Sequence, residues 1–186
     1  EQRRRTIVDA TETVLREKGR DEMTMSDIAE EARLSRSLLY VYFEDMDDIL
    51  LAVTHRGFQS LRNRFQSARA QYDVGLQQIR AIGEAYVRFS QEEPTYFGLV
   101  AQFESQYTDE EDASERMRKC LSESDRVMDV MNEAIQHGME DGTIRADLDS
   151  MQTAVTLWSC THGLIQLAAN KGTDLKQRHD LAPETL

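Results

Sequence analysis

An all-α fold is predicted, on three observations. Apolar residues recur with a period near 3.6 through almost all of the 186 residues. Only 9 glycines and 2 prolines interrupt the chain, too few for a many-turned β-sandwich. Capping residues open the periodic runs, and glycine or proline closes several of them.

The first helix is expected over 3–18, where Ile7, Ala10, Val14 and Leu15 form one stripe and Gly19 supplies the stop. Thr24-Met-Ser-Asp27 is a capping box for a short helix over 25–32, with Ile28, Ala29 and Ala32 inward. Arg33 and Leu34 end it, because Ser35 reads as a fresh N-cap for a helix over 36–42. Asp45 caps a long helix over 46–70, and Asp47 and Asp48 in its first turn suit the helix dipole. Further helices are expected over 74–91 (stopped at Glu93-Pro94), 95–106, 113–138 and 150–170, the last closed by Lys171-Gly172. A Gly138…Gly142 turn and Asp147–Asp149 precede that last helix. The acidic stretch 108–112 is expected to be a solvated loop, and the final fourteen residues a short helix or a frayed end.

A chain of 21.4 kDa can bury a core without disulfides or a structural metal. Cys120 and Cys160 stand forty residues apart with no CxxC, a pattern suited to a reducing compartment. No apolar run approaches the roughly 20 residues of a membrane helix, and no signal segment follows Arg3–Arg5. The expectation is a cytoplasmic protein with no membrane partner. A net charge of −12 argues against general polyanion binding. The four histidines lie on separate segments without HxxxH spacing, and no GxSxG, P-loop or GxGxxG occurs. Neither an enzyme nor a metal or other cofactor is therefore expected.

Two short helices joined by a tight turn over 25–42 have the layout of a helix-turn-helix. Leu34, Leu39 and Phe43 take the packing positions, which leaves Arg36, Ser37, Leu38, Val41 and Tyr42 outside. That outward set suits base-edge reading, arginine for guanine and aliphatic carbon for the thymine methyl. Thr24, Ser35, Tyr40 and Tyr42 suit phosphate contacts, and Arg33 is the cation of the turn.

The run from Thr24-Met-Ser-Asp-Ile-Ala through Leu34-Ser and Leu39-Tyr-Val-Tyr-Phe43, followed by Asp47-Asp-Ile-Leu-Leu51, resembles the DNA-binding domain of TetR-type repressors. The resemblance is specific over residues 6–55 and extends loosely to the end through length and helix order. The Gly142–Asp149 approach to a helix carrying Trp158, His162 and Gly163 is similar to that family too. Where the family usually has glycine in the turn this chain has Arg33, and Met46 stands in place of a phosphate-contacting lysine. Residues 1–56 hold nine basic against thirteen acidic side chains, a net of −4. The resemblance implies a homodimer on double-stranded operator DNA, with a reader over 1–46 and a helical domain over 47–186. That second domain would enclose a pocket for a small-molecule effector, and effector binding would spread the readers and release the operator.

Stripes on three helices could line the pocket. Its expected residues are Tyr86, Phe89, Phe97, Val100, Gln102, Phe103, Met117, Leu121, Met128, Met131 and His162, with Tyr107 as a further polar group. The same stripes would equally build an ordinary core. Val127, Ile135, Met139, Val155, Trp158, Ser159, Gly163 and Gln166 are expected at the dimer seam, where small residues let helices approach closely. A second reading stays open on the acidic reader: a helical small-molecule-binding or interaction protein whose helix-turn-helix no longer binds DNA productively.

Overall fold

The computed structural model describes residues 1–105 and 113–179, apart from the side chains of 172–175, 178 and 179. Tyr107, the acidic stretch 108–112 and the last seven residues lie outside the described part. Eight helices make up the described chain: α1 (Gln2–Lys18), α2 (Met25–Glu31), α3 (Arg36–Tyr42), α4 (Met46–Arg69), α5 (Gly75–Glu92), α6 (Pro94–Ser105), α7 (Glu115–Glu140) and α8 (Ser150–His179). The expected all-α class is the observed one.

Each boundary has a local cause. At Gly19, φ of 75° lets its N–H reach the Leu15 carbonyl at 3.0 Å and stop α1. The Thr24–Asp27 capping box is reciprocal: the Asp27 N–H donates to the Thr24 hydroxyl, and the Asp27 carboxylate accepts from the Thr24 N–H at 2.9 Å. Pro94 begins α6, where a missing N–H costs nothing. Asp149 accepts from the Gln152 N–H at 2.8 Å and opens α8.

Two boundaries differ from expectation. Lys171-Gly172 does not close the last helix, which continues to His179. A lone glycine inside a helix costs only about 1 kcal/mol relative to alanine, and no proline follows to force a stop. Gly138 lies inside α7 and not in the turn; the positive φ falls on Gly142, at 78°.

The chain packs as two units, one of residues 1–61 and 93–125, the other of 62–92 and 126–186. In the first, Ile7, Val14, Ile28, Leu39, Phe43, Ile49 and Val53 form the core that holds α1–α3 against the start of α4, with Leu99 of α6 joining it. In the second, Phe65, Ile82, Tyr86, Phe89, Met131, Ala134 and Ile135 are buried. Val127 and Ile135 were expected at the dimer seam, but both are buried within their own chain, so they are core residues. At i and i+8 on α7 they share the stripe that any long amphipathic helix turns inward. No helix among the described residues is long and apolar enough to cross a membrane.

Candidate nucleic-acid interface and effector cavity

The turn between α2 and α3 sets how the second helix stands. Arg33 takes φ of 54°, the one positive φ outside glycine among the described residues. This lets the Leu34 N–H reach back to the Ala29 carbonyl at 2.9 Å. An arginine held there is strained relative to glycine, and its side chain is exposed. Ser35 then caps α3 by accepting from the Leu38 N–H at 3.3 Å, and its hydroxyl lies 3.1 Å from that of Ser37.

On α3, Leu39 is fully buried while Arg36, Ser37, Tyr40 and Val41 are exposed, Val41 to 73 %. Arg36 reaches along one turn to the Tyr40 hydroxyl at 3.4 Å and lies over its ring. Leu38 is half-buried, and Tyr42 packs partly against the reader core instead of standing outside, because it lies one turn beyond the buried Leu39.

Ion pairing sorts the basic residues. Arg5 pairs with Glu1, Lys18 with Asp27, Arg20 with Asp47, and Arg56 with Asp9 and Glu12. The Lys18 ammonium, with bonds from Thr24, holds the Asp27 carboxyl down at about 2. Arg3, Arg4, Arg16, Arg33 and Arg36 form no ion pair among the described residues, so their charge is open to an anionic partner.

A clamp that sequence reading missed holds the far end of α3. Arg116, near the start of α7, grips both carboxylate oxygens of Asp48 and lies 4.6 Å over the Phe43 ring. The Nη2 that reaches Asp48 Oδ2 also donates to the Tyr42 carbonyl at 3.5 Å, at the negative end of the α3 dipole. Asp48 also accepts from the Glu44 N–H at 3.1 Å, so the α3–α4 corner hangs on one carboxylate. Asp48 had been legible only as a first-turn acid, and the 68 residues between the partners leave no local signal. Arg116→Ala should cost about 2 kcal/mol in urea denaturation of the full chain, since it strands a half-buried carboxylate. Arg116→Lys should restore only part, having no fork to grip two oxygens. Unchanged stability in both variants would show the pair to be fully solvated.

The residues expected to line one pocket divide between two cavities. Gln102, Phe103 and Met117 line a cavity of about 280 Å³ in the first unit, with Arg20, Asp47, Leu50, Leu51, Thr54 and Leu99. Tyr86 and Met131 line a smaller one, about 90 Å³, in the second unit, together with Phe65, Ile82, Gly83, Leu157 and Trp158. Phe89, Phe97, Val100, Leu121, Met128 and His162 line neither, and Phe89 and Val100 are wholly buried. Periodicity finds the inward stripe of each helix but not which inward residues meet a void. Beside the smaller cavity, the Tyr86 hydroxyl sits 2.7 Å from His162 Nδ1, and the Trp158 and His162 rings stack at 5.2 Å. Burial pushes the His162 pKa down, which favours the neutral ring. No group of three or more metal-ligating side chains comes together among the described residues.

Of the remaining seam residues, Val155, Ser159 and Gly163 are exposed, and Met139, Trp158 and Gln166 are half-buried. Met151, Leu157, Leu164 and Leu167 are exposed on the same helix, α8.

Among solved structures, the chain is similar to a protein with unknown function from Rhodococcus sp. RHA1, at TM-score 0.75 and 21% identity over 90% of this chain and 82% of that one. It is also similar to the transcriptional regulator FadR from Bacillus subtilis in complex with stearoyl-CoA, at TM-score 0.71 and 16% identity over 94% and 89%. Among curated proteins it is 26% identical, over 53% of each chain, to an uncharacterized HTH-type transcriptional regulator from Haemophilus influenzae. A regulator of the same description from Mycobacterium tuberculosis is 29% identical over 68% of this chain and 50% of its own. The chain spans about half the length of the curated relatives it matches. The model for bacterial regulatory proteins of the tetR family matches residues 7–53, and that for the tetracyclin repressor-like C-terminal domain matches 79–185. The chain therefore belongs to the TetR family.

Proposed function

We propose that the chain is a transcriptional regulator and not an enzyme, a repressor that binds a palindromic operator as a homodimer and is released by a small effector. The observation that carries the reading is the face of α3: Arg36, Ser37, Tyr40 and Val41 stand exposed on a helix whose other side is locked into the core. Arg36, Ser37, Leu38 and Val41 read base edges, while Thr24, Arg33, Ser35, Tyr40 and Tyr42 serve the phosphates. Residues 1–46 act as reader and 47–186 as the effector-binding and dimerising part. The apolar residues exposed along α8 support a dimer seam there, since a monomer seldom leaves such a face in water. The unpaired Arg3, Arg4, Arg33 and Arg36 supply the attraction that the reader's net negative charge withholds.

Selection of duplex DNA from a random pool, followed by binding assays on the variants, tests this. Arg36→Ala should lose about 1–3 kcal/mol of discrimination at one base position per half-site, whereas Thr24→Ala should weaken all sequences alike. Unchanged affinity of Arg36→Ala for the selected operator would refute the assignment of α3. Failure to select any sequence would favour a helical ligand-binding protein instead.

A further inference from the structure

The larger of these two cavities has an unusual position for an effector site: its wall includes the reader through Arg20 of the α1–α2 loop, facing Asp47 in the first turn of α4 just beyond the reader. We propose that it binds a small amphipathic monocarboxylate, whose head group takes Arg20 away from Asp47. This rests on the effector-responsive reading above and names the ligand class and its site.

Among the described residues, Arg20 and Asp47 are the charged ones that line the cavity, and they are not equivalent partners. The Asp47 side chain is 79 % exposed and well solvated by water, while that of Arg20 is 38 % exposed. The Arg20–Asp47 contact is a single one at 3.4 Å, through one terminal nitrogen. A guanidinium has five N–H donors in a planar fork, so most of this fork is unused by the protein. A ligand carboxylate can accept two parallel bonds from it and outcompete a single long one. The rest of the lining is Leu50, Leu51, Leu99, Phe103 and Met117, with Thr54 and Gln102 as neutral polar groups. That lining suits an alkyl or aryl tail and, among the described residues, offers a cation no further acceptor of full charge.

Size narrows the class. About 280 Å³ lies at the lower end of ligand sites, which run from about 300 to 1,000 Å³. It cannot enclose a stearoyl chain with its CoA, so the ligand is a short- or medium-chain acid. Drawing Arg20 onto the ligand cuts a tie between the α1–α2 loop and α4, on either side of the helix-turn-helix. Binding and reader geometry are thereby linked without any relay through the rest of the molecule.

The test uses sodium octanoate, octanamide and octylammonium chloride, titrated calorimetrically into the full chain, with the selected operator in parallel. Octanoate should bind saturably at one site per chain and lower operator affinity, while octanamide and octylammonium should bind at least about tenfold more weakly. Arg20→Gln, a loop change that leaves the core intact, should weaken octanoate by about tenfold or more. Asp47→Asn should tighten it, by up to about fivefold, by removing the competitor. Octanoate binding indifferent to Arg20→Gln, or octylammonium as the better ligand and weakened by Asp47→Asn, would overturn the proposal. Octanoate held through Arg20 with operator binding unmoved would keep the site but refute its effector role. Absent octanoate binding beside intact operator binding would refute the site and leave the DNA-reading proposal standing.

Discussion

Gly75→Ala should destabilise the protein by about 3 kcal/mol, a fall of roughly 6–12 °C in thermal midpoint for a chain of this size. A Cβ built on Gly75 would fall well inside van der Waals contact of the Gly138 backbone nitrogen and Cα, and 2.9 Å from the His137 carbonyl carbon. Those are backbone atoms in the last turn of α7 and cannot swing aside as a side-chain end could. The Gly75 N–H also donates to the Asp141 carboxylate at 2.7 Å, so moving α5 outward breaks the bond that holds its first turn against the end of α7. That bond, with those from Thr143, keeps the Asp141 carboxyl below its usual pKa. Gly98→Ala on α6 is the contrasting case. Its Cβ would meet nothing within 4 Å, so helix propensity alone should raise stability by about 0.5–1 kcal/mol. Differential scanning calorimetry of the two variants decides it; equal midpoints would mean that the α5–α7 contact yields without cost.

Glu104→Gln should make the protein more stable, and increasingly so as pH rises. Glu104 follows the fully buried Val100 by one turn on α6, and its buried Oε2 has no hydrogen-bond partner among the described residues. Burial pushes its carboxyl from the ordinary 4.5 up to about 8. Below pH 4.5 folded and unfolded chains both hold the proton, and the group leaves stability unaffected. Between 4.5 and about 8 the unfolded chain releases the proton while the folded chain keeps it, so stability declines across that window and levels off above it. The glutamine variant has no such proton to lose. Its advantage should be small near pH 4.5 and grow to on the order of 3 kcal/mol by pH 8, measured by urea denaturation across the range. A difference independent of pH would place Glu104 in water.

Much of the reader is legible in the sequence itself. The Thr24 capping box, the Ser35 cap, the Asp45 cap and the inward Ile28, Leu39 and Phe43 are local features, and each is found where the residues call for it. Arg33 shows the same reach: a residue standing where the family has glycine takes the positive φ that glycine would have taken. Helix periodicity also found the inward stripes of α5 and α7, although it could not separate Val127 and Ile135, which meet their own chain, from residues left for a partner.

By itself, then, the sequence determined the eight-helix order, the caps and the exposed face of α3, because caps and helical faces depend on residues within one turn of each other. Tertiary structure alone decided the Arg116–Asp48 clamp, the Gly75–Gly138 approach, the division of the apolar stripes between two cavities and the placing of Arg20 on the wall of one. These join groups up to 97 residues apart along the chain, as Arg20 and Met117 are. No period or local spacing marks such pairs; they are set by how helices stack and by where packing leaves a void.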